Sequence, residues 1–136
     1  MTVLEFPFKP VLESPLAVPP EWEAVCRLDD LIPGRGVAAL LGGEQVAIFL
    51  LGYDRHGPLL RAVGNIDPFG RAAVMSRGLI GSRGSVPTVA SPLLKQVFSL
   101  DTGVCLDDRS QALPMYMVRT RDGVVQLARH RQADAA

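Results

Sequence analysis

Thiol and imidazole side chains are scarce in this sequence. Its 136 residues hold two cysteines, Cys26 and Cys105, and two histidines, His56 and His130. No two of these four have the close spacing of a ligand pair. A four-ligand Cys/His site would have to gather all of them from across the chain, which argues against a zinc motif. The cysteines are expected as reduced, small apolar residues and not as a disulfide. Charge of one sign is missing too: 14 basic residues face 14 acidic ones. That balance argues against nucleic acid or an anionic membrane surface as partner. No apolar run approaches the roughly 20 residues that span a bilayer. Near the N-terminus Glu5, Pro7 and Lys9 interrupt the apolar residues, so the stretch does not read as a signal peptide. The expected location is the cytoplasm.

Catalytic signatures are equally absent. Gly78–Gly84 is glycine-rich, but it is not G-x-G-x-x-G and opens no evident helix, so it reads as hairpin glycine. There is no G-x-S-x-G, which leaves Ser91 unsupported as a hydrolase nucleophile. The pairs Asp29-Asp30 and Asp107-Asp108 lack the pattern of a calcium loop and read as solvated turns.

What remains is enough apolar material for one core: 48% of the chain is hydrophobic, in a length that fits one domain. Residues 1–20 carry Pro7, Pro10, Pro15, Pro19 and Pro20 and are expected as an extended arm. From Glu21 the pattern is that of short strands. Trp22–Cys26 alternates, and Asp29–Gly36 is a turn. Val37–Leu41 and Gln45–Leu51 form a hairpin through Gly42-Gly43-Glu44. Leu59–Val63 follows a turn at Asp54–Pro58. Arg71–Arg77 fits a single helical turn. Gly78–Gly81 and Val86–Ala90 form a further hairpin, and Val97–Leu100 is a strand ending in the turn Asp101-Thr102-Gly103. Met115–Thr120 and Val124–Ala128 pair about Asp122-Gly123. Residues 129–136 are expected as a flexible tail. Many short strands and no amphipathic helix imply an all-β sandwich or barrel.

Two stretches carry a family resemblance. Asn65-Ile66-Asp67-Pro68-Phe69 resembles the first ligand loop of a Rieske domain, N-x-C-P-H. Ser91-Pro92-Leu93-Leu94, followed by Phe98, Leu100 and Gly103, resembles the frame of the second, C-P-x-H. Both prolines are in place, but Asp67 and Ser91 stand at the cysteine positions and Phe69 and Leu94 at the histidine positions. The same two stretches, with Met75–Ile80 and Asp122–Leu127, resemble the small subunit of the NAD(P)H-dependent assimilatory nitrite reductase. That resemblance covers roughly Trp22 to Leu127. It implies a Rieske-like β-sandwich over residues 21–128, with a small subdomain carrying two vestigial cluster loops.

Phe69 and Leu94 offer no donor atom, and Asp67 and Ser91 do not replace two thiolates. The resemblance therefore implies a chain with no cofactor, metal or catalytic group of its own. It would support a large subunit that carries FAD, a [4Fe–4S] cluster and sirohaem and reduces nitrite to ammonium. Phe69 and Leu94 are expected to meet across the gap between the loops. Pro68, Phe69, Arg77, Pro92, Leu93, Leu94 and Lys95 are the expected contact surface for the large subunit. The rival readings are a Rieske-type electron carrier, which a colourless purified protein excludes, and a stand-alone β interaction domain.

Overall fold

Tight two-residue turns set the architecture. The computed structural model describes residues 20–129. Residues 1–19 of the expected arm, and residues 130–136 of the expected tail, lie outside the described residues. Nine strands occur among the described residues. They are β1 (Glu23–Arg27), β2 (Gly36–Leu41), β3 (Glu44–Asp54), β4 (Gly57–Gly64), β5 (Leu79–Arg83), β6 (Val86–Ala90), β7 (Val97–Ser99), β8 (Met115–Arg121) and β9 (Val124–Arg129). Short 3₁₀ turns occupy Leu28–Asp30 and Met75–Arg77. Gly42-Gly43 and Asp122-Gly123 have left-handed φ at both central residues, 57° and 84° in the first and 55° and 79° in the second. That geometry matches the strand twist and closes β2 on β3 and β8 on β9.

Six strands form an antiparallel sheet in the order β1-β9-β8-β4-β3-β2, and β5-β6-β7 form a second. The edge strands β1 and β2 lie against one another, so the larger sheet curls round a core. Strand β3 is the hinge of the packing. Its residues Val46–Leu50 are all fully buried, because both of its faces are covered. Val46, Ile48 and Leu50 face the inner core with Leu60, Ala62, Tyr116, Val125 and Leu127. Ala47 and Phe49 face a second core with Val63, Met75, Val89, Phe98, Leu100, Cys105 and Leu113. A fully buried Phe or Leu contributes roughly 1.5–3 kcal/mol, so this second core fixes the small sheet against the large one. Gly36 permits the close approach: a Cβ there would collide with the Ser76 carbonyl and the Phe49 ring.

Several strands run longer than the sequence pattern gives, while β7 stops at Ser99, one residue short of the expected Leu100. β3 reaches Asp54 and β4 starts at Gly57, leaving a turn of Arg55 and His56 closed by the Asp54 carboxylate on the His56 amide (2.7 Å). The helical turn expected over Arg71–Arg77 is confined to Met75–Arg77, because the preceding residues close a loop of their own. Arg129 does not begin the tail. It ends β9 opposite Tyr116, and its guanidinium meets Glu44 at 2.7 Å. Glu44 also accepts the Tyr116 hydroxyl at 2.7 Å, which ties the β2–β3 turn to β8 and β9. That hydroxyl and then Arg129 hold the Glu44 carboxyl below its ordinary range. Burial first, and Glu44 second, push the Tyr116 phenol up to about 12. Both cysteines are free thiols; Cys105 is fully buried and Cys26 half-buried.

Candidate functional site

Two loops project side by side, one after β4 and one between β6 and β7, and they are built alike. In the first, the Asp67 amide donates to the Ala72 carbonyl (2.9 Å) and the Arg71 amide to the Asp67 carbonyl (2.7 Å). In the second, the Ser91 amide donates to the Gln96 carbonyl (2.9 Å) and the Lys95 amide to the Ser91 carbonyl (3.0 Å). The fifth residue of each is left-handed: Arg71 has φ 61° and Lys95 φ 63°. Each leading side chain folds back over its own loop, as Asp and Ser do at turns. Asp67 Oδ1 accepts the Phe69 amide (2.8 Å) and the Gly70 amide (3.3 Å). Ser91 Oγ accepts the Leu93 amide (3.2 Å).

The loops are then joined to each other. The Ser91 hydroxyl donates to Asp67 Oδ2 at 2.5 Å, and both side chains are buried. Asn65 holds the foot of the first loop. Its Oδ1 accepts the Ser76 amide (2.7 Å), its carbonyl accepts the Met75 amide (3.0 Å), and its side-chain amide donates to Gln45 Oε1 (3.1 Å). At the second loop, Asp107 accepts the Val97 amide (2.9 Å) and the Arg83 guanidinium (3.2 Å). These contacts, the Val97 amide foremost, hold its carboxyl below the ordinary range. Asp107 is therefore a strap from the β7 strand to β5, and not a free turn residue.

The expected contact of Phe69 with Leu94 is replaced by a different arrangement. Phe69 is half-buried and leans on Phe98, with ring centroids 6.2 Å apart at 51°. Leu94 is 58% exposed. The residue that reaches across is Leu93: a Cβ added at Gly70 would come within 2.7 Å of its Cδ1. The two loops match position for position, so Leu93, whose amide caps on Ser91 as that of Phe69 caps on Asp67, is the counterpart of Phe69 and lies toward Gly70, while Leu94 is left outside.

A Rieske [2Fe–2S] centre needs two thiolates and two imidazoles. The residues at those four places do not fit it: the two polar ones are bonded to each other, and the two apolar ones carry no ligand atom. No group of three or more His, Cys, Asp or Glu side chains gathers to hold a metal among the described residues.

The apex is instead apolar and cationic. Ile66 (50%), Leu79 (77%), Leu93 (45%) and Leu94 (58%) are exposed. Ile66 adjoins Asp67, and Leu79 pairs with Ala90 at the foot of the second loop. Arg71, Arg77 and Lys95 are exposed among them, and the ion pairs found among the described residues involve none of the three. The one acid between Gly64 and Leu100 is the buried Asp67. Of the residues expected at the contact surface, Arg77, Pro92, Leu93, Leu94 and Lys95 are exposed, while Pro68 and Phe69 are half-buried. Ile66, Leu79 and Arg71 are exposed as well, next to the loops in sequence or pairing; no spacing marks Ile66, which sits between Asn65 and Asp67, and Leu79 adjoins Ile80 within an expected strand.

Residues 21–128 match the family model described as a Rieske-like [2Fe-2S] domain. The chain is 49% identical over 107 residues to the nitrite reductase (NADH) small subunit of Salmonella typhimurium, which covers 79% of this chain and 96% of that one. The chain belongs to the family of nitrite reductase small subunits. Among solved structures, the E. coli protein NirD superposes with a TM-score of 0.71 at 47% identity, covering 80% of this chain and 96% of that one. A stretch of the nitrite reductase [NAD(P)H] large subunit of Klebsiella oxytoca is also similar, 38% identical over 104 residues, which is 76% of this chain and 10% of that one. In this nitrite reductase small subunit the paired loops stand where the resemblance sets the two cluster loops of a Rieske-like domain, with Asp67, Phe69, Ser91 and Leu94 at the places of the ligands.

Proposed function

We propose that this chain is the non-catalytic small subunit of an NAD(P)H-dependent nitrite reductase and that it docks on the large subunit through the loop apex. The large subunit would carry the FAD, [4Fe–4S] and sirohaem groups and perform the reduction of nitrite to ammonium, in the cytoplasm. The Klebsiella oxytoca large subunit supports the pairing, since a domain similar to this chain lies within that polypeptide. The observation that carries the docking site is the apex surface: exposed Ile66, Leu79, Leu93 and Leu94 rimmed by Arg71, Arg77 and Lys95, with no exposed acid in the stretch. Apolar groups rimmed by charge mark interfaces. Two of the cations occupy left-handed backbone positions, where a side chain costs about 1–2 kcal/mol more than glycine. Strain kept at such a place points to a use for the side chain.

The test is binding of the full chain to purified large subunit at two ionic strengths. Lys95→Glu should leave the melt unchanged and weaken binding on the order of 5-fold at low salt, less at high salt. Leu93→Asp should weaken it further at both. Normal binding by both folded variants would remove the apex from the contact.

A further inference from the structure

Strand edges offer unpaired amides, and folds ordinarily cover them, twist them or place charge on them. Here the edges of the large sheet, β1 and β2, lie against one another. In the small sheet, the β7 edge is closed by the segment that follows it. The Ser99 amide donates to the Val104 carbonyl (2.9 Å), the Leu106 amide to the Val97 carbonyl (2.7 Å), and Asp107 takes the Val97 amide. The other edge, β5, has no strand on its outer side among the described residues. It also lacks the usual guards. Leu79–Arg83 contains no proline, its register with β6 is unbroken, and its one charge, Arg83, is tied to Asp107.

The turn Gly84-Ser85 makes Arg83 and Val86 the closing hydrogen-bonded pair of the β5–β6 hairpin. Alternation then directs the amides and carbonyls of Leu79 and Gly81 toward β6, and those of Ile80 and Ser82 outward. Leu79, the most exposed large apolar side chain among the described residues, stands at one end of this edge, two positions from Arg77.

We infer that β5 takes up an extended segment of the large subunit as an added strand, continuing the apex contact along the small sheet. This rests on the apex docking proposed above. The occupant is a strand carrying a carboxylate to meet Arg77. A second copy of this chain is disfavoured in the register that sets Ile80 opposite Ile80, because it would place Arg77 of each copy opposite Arg83 of the other.

Residue-resolved hydrogen exchange on the full chain, with and without purified large subunit, tests this. The Ile80 and Ser82 amides should exchange at least about 10-fold more slowly in the complex, while those of Leu79 and Gly81, already in the ladder, change less. Ser82→Pro removes an outward N–H and spares the β5–β6 ladder; it should keep the melt and raise the Kd about 10-fold. If that variant does not fold, the exchange result on the native chain decides alone. A complex that forms, is weakened by Lys95→Glu, and leaves Ile80 and Ser82 at their free exchange rates overturns the added strand and keeps the apex. Absence of any complex removes both. Protection of the two amides in the chain alone, rising with its concentration, overturns the inference in favour of self-pairing.

Discussion

Removing the Ser91 hydroxyl should destabilise the domain out of proportion to the single oxygen lost. In Ser91→Ala, Asp67 Oδ2 loses the donor that reaches it across the loops and stays buried, since Asp67 is fully inaccessible. A hydrogen bond to a charged group contributes roughly 1.5–3 kcal/mol, and leaving a buried acceptor unpaired costs about as much as the bond itself. The Leu93 amide also loses its acceptor, but at 3.2 Å and beside exposed Leu93 it finds water instead. The expected loss is therefore about 2–3 kcal/mol, with little discount for solvent because both partners are buried. In a domain of this size that lowers Tm by roughly 10–15 °C. Urea unfolding of wild type, Ser91→Ala, Asp67→Ala and the double variant supplies a thermodynamic cycle. The double variant should be less destabilised than the sum of the singles, because Ser91→Ala then leaves no stranded carboxylate behind. A loss below about 0.5 kcal/mol for Ser91→Ala, or additivity within about the same margin, would refute the view that this bond joins the loops.

Phe69→Ala removes a half-buried ring from Phe98, and should cost roughly 1.5–3 kcal/mol, below the range of about 3–5 kcal/mol for a fully buried Phe; a urea melt checks it, and a change under about 0.5 kcal/mol would place the ring at the surface. Tyr116 should hold its proton to about pH 12, visible as late-appearing phenolate absorbance that is absent in Tyr116→Phe. Because the folded state then keeps a proton that the unfolded chain releases near pH 10, this contribution to stability is complete below about pH 10 and is lost as the pH rises toward 12. Glu44→Gln should bring the phenolate in earlier, since the Glu44 carboxylate is one of the groups that raise it.

The hairpins could be read from the chain because two-residue turns are local chemistry: Gly42-Gly43 and Asp122-Gly123 state their geometry in two letters. The apolar run that became β3 was legible as a strand, but not as one buried on both faces, since that depends on which sheet lies over Phe49. The loop frame was legible through its prolines and its resemblance, which located Asp67 and Ser91 without showing that they bond to each other. That contact spans 24 residues of sequence and exists only after the small sheet has docked. Leu93 and Leu94 are identical letters, and the phase of the turn alone decides which one faces Gly70. Arg71 and Lys95 gave no sign of left-handed backbone, because glycine is the usual signal and neither loop has one at that place. Asp107 read as a solvated turn because the amide it caps, Val97, lies on a strand ten positions earlier.

The matched pair of loops closed by their own amides has a consequence for how the complex is made. Where a metal holds such loops, binding free energy is folding free energy, and the tip stays incomplete until the metal arrives. Here each loop is complete once its backbone bonds have formed, and the tie between them is a hydroxyl on a carboxylate. On the docking proposed above, the apex would therefore mature with the folding of its two loops, since neither their backbone bonds nor the tie between Ser91 and Asp67 calls for iron. On that same reading a chelator would leave this half of the pair folded, with its docking loops already closed.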